Sequence, residues 1–144
     1  MAETYAFTDI SATITHPAYT SFSIQGEGVG DITISKAQER TAHDIAADGS
    51  VMISKIAGNN GTITINAQQT SALHKYLQKL FNHLWSAPSD QWAQMDITLR
   101  APRMGLQIVA SGVAFQKEAD RPYQAQGQRI AWPLMAADIQ YIEM

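Results

Sequence analysis

The chain has no cysteine, so disulfides and thiolate metal sites are excluded from the start. Charge is scarce too. Only 16% of the 144 residues are charged against 45% hydrophobic, as in a globular chain whose surface is relatively poor in charge. The net charge of −3 and the scatter of the ten Lys and Arg exclude a dedicated nucleic-acid binder, which would show a basic excess. No run of about 18 consecutive apolar residues occurs, so no membrane-spanning helix or anchor is expected. The start, MAETYAFTDISATI, lacks a charged region followed by an apolar run, so no secretory signal is expected. The length fits one soluble domain, 1–144.

Catalytic signatures are equally sparse. Gly26, Gly28 and Gly30 in QGEGVGD suggest a phosphate loop, but neither GxGxxG nor GxxxxGK[ST] is present. The DITIS that follows reads as a strand rather than a helix start, so a bulged hairpin connection is the better reading. His16, His43, His74 and His83 show no HxH, HExxH or HxxxH spacing. His74 and His83 are nine residues apart, about half a turn out of phase on a helix, and all four read as surface histidines. No GxSxG occurs, and no serine has a local histidine or carboxylate partner. Asp90, Asp96, Asp120 and Asp138 carry no spacing that would mark an acid–base pair. Trp85 and Trp132 read as core, while Trp92, in the polar PSDQW link, is left open as a ligand platform. No enzyme activity, cofactor or metal is expected.

What the sequence does contain is period-two patterning. Phe7, Ile10, Ala12 and Ile14 lead to His16-Pro17; Phe22 and Ile24 alternate with serines; Ile32 and Ile34 alternate with Asp31, Thr33 and Ser35. In the second half Met95, Ile97 and Leu99 alternate with polar residues. Leu106 to Phe115 reads as a strand kinked at Gly112, as at a bulge. KEADRPYQAQGQ is a polar loop. Ile130, Trp132, Ile139, Tyr141 and Ile142 make a last strand or pair, with Pro133 marking a break, a bulge or an edge position.

One helix interrupts the strands. In TSALHKYLQKLFNHLW, Leu73, Leu77, Leu80, Phe81 and Leu84 fall on one face, predicting a helix over about 70–85. Thr70 or Ser71 caps its start, and Pro88 closes the far side. Tyr76 and Trp85 widen the apolar face; His74, Lys75, Gln78, Lys79, Asn82 and His83 form the wet side.

The stretch DGSVMISKIAGNNGTITI reads as a strand, a tight turn at Asn60-Gly61 and a second strand, since Asn and Gly accept the positive φ of a type I′ turn. Val51, Met52 and Ile53 are apolar without a break, so that strand needs cover on both faces. Before it, KAQERTAHD has no apolar stripe and reads as an extended loop at about 35–46, or a strand projecting into solvent. The expected fold is α+β and mainly β: a β-sandwich or small barrel of about seven strands with one flanking amphipathic helix.

Three segments in order, ADGSVMISKIAGNNGTITI, QTSALHKYL and GVAFQKEADRPYQAQGQRIAWPL, resemble a family of phage structural proteins, and YAFTDISATI fits its start. The resemblance covers nearly the whole chain and is to tail tube proteins of contractile-tailed bacteriophages, whose fold is shared with phage-derived bacteriocins and type VI secretion tubes. It implies six-copy rings whose sheets join into a lumen wall, and rings stacked into a tube. It also implies a sheath outside, a baseplate, a tape-measure protein inside, and DNA crossing the lumen without specific binding. The place of work would be the virion tail, assembled in the bacterial host cytoplasm. Pro133 departs from the uninterrupted last strand that the resemblance implies.

The residues agree with that resemblance at three points. A neighbouring subunit would supply the missing cover for Val51, Met52 and Ile53. Lys36, Glu39, Arg40, His43 and Asp44, in a segment with no stripe of its own, would order against the next ring, their charges setting register. A slightly acidic chain makes a wall that does not hold phosphates. The same architecture would serve as the inner tube of a bacteriocin or secretion device. Two other classes stay open, a monomeric β-barrel module binding sugar or another small ligand through Trp92, and a hydrolase using Asp96 or Asp138.

Overall fold

The computed structural model of the protein describes residue 6 and residues 9–24 and 29–143. Gly26 and Gly28 of the glycine-rich connection lie outside the described residues, as do Tyr5 and Phe7. The alternating segments form strands: β1 (Ser11–His16), β2 (Tyr19–Ile24), β3 (Val29–Lys36), β4 (Thr41–Ile45), β5 (Val51–Lys55) and β6 (Gly61–Gln68). After helix α1 (Ala72–Ser86) come β7 (Met95–Ala101), β8 (Leu106–Phe115) and β9 (Arg129–Glu143). Seven of them make one antiparallel sheet in the order β2-β1-β7-β8-β9-β6-β3, and β4 and β5 pair apart from it. The protein is therefore mainly β, with nine described strands where about seven were expected.

The sheet curls into a half-barrel. Ile24 of edge strand β2 and Ile32 and Ile34 of the opposite edge strand β3 line the same apolar interior as Ile63, Ile65 and Ile97 from the strands between. Every second residue points inward, which is how period-two patterning becomes a buried face. A bulge falls at Gly112. There β8 carries one extra residue against β7, between the pairs Met95↔Val113 and Ile97↔Ala110. Gly112 has φ +62, and a Cβ built on it would lie 2.8 Å from Ala137 Cβ. On both sides of this point the buried positions change phase, from Ile108 and Ala110 to Val113 and Phe115 in β8, and from Ala136 to Ile139 in β9.

Helix α1 covers the inner face. Ser71 Oγ accepts from His74 N at 3.2 Å as N-cap. Leu73, Leu77, Leu80 and Leu84 are buried as the heptad-like spacing requires. Phe81 meets Phe115 edge-on at 5.4 Å, and Phe115 meets Trp132 at 5.5 Å, so helix and sheet share an aromatic core. At the β2 edge Tyr76 stacks on Phe22 at 4.8 Å and donates its hydroxyl hydrogen to Thr20 O. Burial, seconded by Tyr19, pushes the Tyr76 phenol up to about 12.

Several expectations are corrected. Asn60-Gly61 is not a hairpin turn: β5 pairs backward with β4, and β6 pairs with β3 and β9. No described non-glycine residue has positive φ. The hairpin turn is Ala46 to Ser50, where Gly49 has φ 90. There Asp48 Oδ1 accepts from Ser50 N at 3.0 Å and Ser50 Oγ at 2.7 Å, which holds its carboxyl below the ordinary carboxylate range. Gly61 is required by close approach instead, since a Cβ there would sit 2.4 Å from Ser35 O. Of the two readings of KAQERTAHD, the strand projecting into solvent holds, for Thr41 to Ile45 is an exposed strand. Trp85 does not widen the buried face, and His16 and His74 are buried rather than superficial.

Pro133 does not interrupt β9, which runs 15 residues between β6 and β8. Its carbonyl accepts from Gln116 N at 3.0 Å, so its missing N–H lies on the same side, where β8 has already ended at Phe115. The ladder loses a donor only where no strand remains to receive it.

Gly61→Ala forces a methyl onto backbone and is expected to destabilise by about 1–3 kcal/mol, as overpacking does. Gly112→Ala costs about 1–2 kcal/mol from the left-handed backbone alone. Urea unfolding of the two variants measures both, with Gly127→Ala, where a Cβ meets nothing within 4 Å, as the neutral control.

Candidate functional site

The features without an internal structural role gather on the connection between β3 and β6. These two strands pair up to Lys36↔Gly61, and their continuations β4 and β5 pair again from Thr41↔Lys55 to Ile45↔Val51. The result is a two-stranded arm extending about 17 Å beyond the joint, at 3.3–3.4 Å per residue. All of its strand residues are exposed. Ile45 is 70% exposed, Val51 48%, Met52 61% and Ile53 69%, so the cover that the sequence demanded for 51–53 is not provided by this chain. Opposite residues share a face. Ile45, Val51, His43 and Ile53 therefore form one side of the arm, and Asp44 and Met52 the other.

An isolated two-stranded ribbon is marginally stable, and here its base is tied down. Arg40 donates to the carbonyls of Ile56 and Gly58 and to Asn59 Oδ1, and Ile56 N donates to Arg40 O at 3.0 Å. Lys36 donates to Ile139 O and lies 5.4 Å from the Tyr141 ring centroid. Of the expected contact residues, Lys36 and Arg40 are thus engaged at the arm's base. Glu39 lies beside them in the joint, and His43, Asp44, Val51, Met52 and Ile53 project along the arm. Ile45 belongs with them. Its signal was an apolar residue just past KAQERTAHD, legible only once β4 is known to run to 45.

Among the described residues the sheet ends in two open edges, β2 and β3. Its outward face is rich in hydroxyls, with Thr13 opposite Thr98, Thr33 opposite Thr64 and Ser35 opposite Thr62. An unpaired strand edge is a template for another strand.

Residues 1–143 match the family described as Bacteriophage PhiTE tail tube protein. The chain belongs to that family. No curated protein matches it. Among solved structures, this tail tube protein is similar to a chain of the anti-feeding prophage (AFP) baseplate, 6-fold symmetrised, with TM-score 0.65 and 12% identity over 99% of this chain and 98% of that one. It is similar to a chain of the PVC sheath/tube terminator of an extracellular contractile injection system, with TM-score 0.59 and 12% identity over 98% of each. A chain of the PVC sheath-tube complex gives TM-score 0.56 and 11% identity over 96% of this chain and 91% of that one. At such identities the likeness is one of fold.

The residues considered for other chemistry fall elsewhere in the tail tube fold. Asp120 pairs with Lys117 at 3.1 Å, and Asp138 accepts from Gln140 at 3.0 Å. Asp96 is on β7 and Asp90 in a short turn before it. Among the described residues no three His, Asp or Glu side chains converge as a metal would need. Trp92 is half-buried, edge-on to Phe81 and Trp85 at 6.1 Å from each. The apolar gap inside the half-barrel has room for about 10 Å³, far below the ~300–1,000 Å³ of ligand pockets.

His74 serves the core. Trp132 Nε1 donates to its Nδ1 at 3.0 Å, so that nitrogen must stay unprotonated. Burial, helped by the Arg121 charge, holds its pKa below the ordinary histidine value. A histidine of depressed pKa binds fewer protons folded than unfolded. Its contribution is complete above about pH 6.5 and is lost as pH falls through the folded-state pKa. Thermal unfolding between pH 7.5 and 5 is therefore expected to show a midpoint declining with acid. His74→Leu flattens that decline and costs about 1–3 kcal/mol at pH 7.5, because the buried indole N–H loses its acceptor.

Proposed function

We propose that this protein is the self-assembling subunit of a phage tail tube. Six copies close into a ring, their open edges joining sheet to sheet around a lumen, and rings stack through the arms. The observation that carries this is the arm: a pinned ribbon whose Ile45, Val51, Met52 and Ile53 are uncovered in the single chain. Burying such side chains is worth about 1.5–3 kcal/mol each, a large incentive to associate. Heterologous contacts of this kind generate rings and filaments, and edge pairing removes the liability of β2 and β3.

Lys36, Glu39 and Arg40 then hold the arm's root at the ring, while His43, Asp44, Val51, Met52 and Ile53 make contacts between copies. The net charge of −3 and the hydroxyl-rich outer sheet face suit a conduit through which DNA slides, because a basic wall would hold phosphates by counterion release. The sheath-tube and six-fold baseplate assemblies among the structural neighbours support a place inside a sheath and on a baseplate; a tape-measure protein would fill the lumen. The subunit works in the virion tail and is assembled in the host cytoplasm. The inner tube of a secretion device is the second reading, favoured by the extracellular injection systems among the same neighbours. DNA-filled heads on purified particles separate the two.

Negative-stain microscopy of the purified protein is expected to show rings or hollow tubes of fixed diameter. A monomer that persists at high concentration overturns the proposal. Replacing Thr41–Lys55 with a short Gly-Ser link is expected to leave the melting temperature of the subunit unchanged and to abolish tubes. Normal tubes from that variant would remove the arm from the stacking contact.

A further inference from the structure

The Asn60-Gly61 pair makes no turn, and the fold gives the Asn60 side chain no task. Asn60 closes the irregular segment 56–60, half-buried at the joint between sheet and arm. The other three asparagines of the chain have engaged side chains. Asn59 Oδ1 accepts from Arg40, Asn66 Nδ2 donates to Asp31 at 2.5 Å, and Asn82 Oδ1 accepts from Gln78 at 3.1 Å. Asn60 has no side-chain hydrogen bond among the described residues, and of the four it alone precedes a glycine. With no Cβ on Gly61, no side chain shields the next main-chain nitrogen from the Asn60 amide carbon.

A second pair of this kind, Asp48-Gly49, sits at the tip of the arm. There Asp48 Oδ1 is occupied by Ser50 N and Ser50 Oγ, bonds that favour the ionised carboxylate. An ionised carboxylate offers no leaving group to an attacking nitrogen. At the root only the main chain holds the reacting atoms apart. Ala37 N donates to Asn60 O at 3.0 Å and Ile139 N to Asn59 O at 2.9 Å. Lys36 and Gly61 are therefore a non-hydrogen-bonded pair, and the Gly61 N–H points toward β9, where Ala136 stands opposite. Arg40 keeps this joint shut through the Ile56 and Gly58 carbonyls and Asn59 Oδ1.

We propose that Asn60 is a site of spontaneous self-modification, gated by opening of the arm's root and ending as aspartate or isoaspartate. The Gly61 nitrogen bonds to the Asn60 side-chain carbon, and the bond from that carbon to the side-chain nitrogen breaks. Ammonia leaves with the Gly61 proton, and a five-membered succinimide remains. Water then adds to one imide carbonyl or the other. Cleavage at the side-chain carbonyl gives aspartate, and cleavage at the main-chain carbonyl gives isoaspartate, with one more methylene in the backbone. Either product puts a new carboxylate beside the Arg40 and Lys36 anchors. The longer isoaspartate link also shifts the register where Gly61 already presses on Ser35 O. A chain that has converted has a looser arm, so the pair sets a lifetime on the pinned ribbon. The inference does not depend on what the arm docks against.

Peptide mapping by mass spectrometry tests this on the full chain held in mildly alkaline buffer. Asn60 is expected to convert first, to a mixture of aspartate and isoaspartate, while Asn59, Asn66 and Asn82 stay intact. Arg40→Ala is expected to speed conversion at Asn60 about three- to tenfold, as loss of one or two net hydrogen bonds from the closed joint implies. Arg40→Lys, which keeps the charge without the fork, gives the same reading if the alanine variant fails to fold. Limited trypsin cleavage after Lys55 is expected to rise in step with conversion. Asn60→Gln, whose longer side chain disfavours the five-membered ring, is expected to stay resistant through the same incubation. Asn60 remaining intact, or converting no faster than the other asparagines, overturns the site. Conversion at an unchanged rate in both Arg40 variants overturns the gating. An Asn60→Gln chain that loosens as fast as the unaltered one overturns the link to the arm. None of these outcomes bears on whether the chain forms tubes.

Discussion

Backbone groups at the rim of a β-sheet need partners, and seven antiparallel strands wrapped around one helix do not close. That constraint organises the molecule. Curling brings β2 and β3 to the same apolar interior, burying Ile24 and half-burying Ile32 and Ile34, yet among the described residues both remain edge strands. The helix fills the inner face instead of an eighth strand, with Tyr76 and Phe22 fastening it to one rim. A fold of this kind has a satisfied core and unsatisfied borders, which is the physical description of a subunit.

The core and the arm solve opposite problems. In the core, polar aromatic groups find partners: the Trp132 indole donates to His74, and the Tyr76 hydroxyl to Thr20 O. In the arm, apolar groups stand in solvent while the polar ones do the structural work. Arg40 grips three acceptors at the root, and Asp48 closes the tip. A rigid ribbon loses little entropy on docking, so such an arm is preorganised for a partner.

Much of the architecture was legible beforehand because burial on one face imposes periodicity. The Leu73, Leu77, Leu80 and Leu84 spacing located the helix, and the alternations at Ile32–Ile34 and Met95–Leu99 located strands. The kink at Gly112 followed from a lone glycine inside such a run. The misreadings share a cause as well. Asn60-Gly61 has the residues of a turn, but Gly61 is there because Ser35 O passes too close for a side chain. His74 sits at a position read as wet, and only the indole across the core explains its burial. Pro133 looked like a break because its neighbour strand was not known to end at Phe115.

From sequence alone came the class of the molecule: strands, one amphipathic helix, a charge-poor surface and an apolar segment, 51–53, lacking cover. These follow from local periodicity and composition, which need no knowledge of neighbours. Tertiary structure decided the pairing, joining β5 to β4 rather than β6 and so making an arm of a segment that read as either a loop or a projecting strand. It also decided which histidines are buried and which tryptophan is exposed. Pairing partners and cross-core contacts are long-range, and long-range choices depend on how the whole sheet competes for hydrogen bonds and apolar cover, which no short window of sequence records.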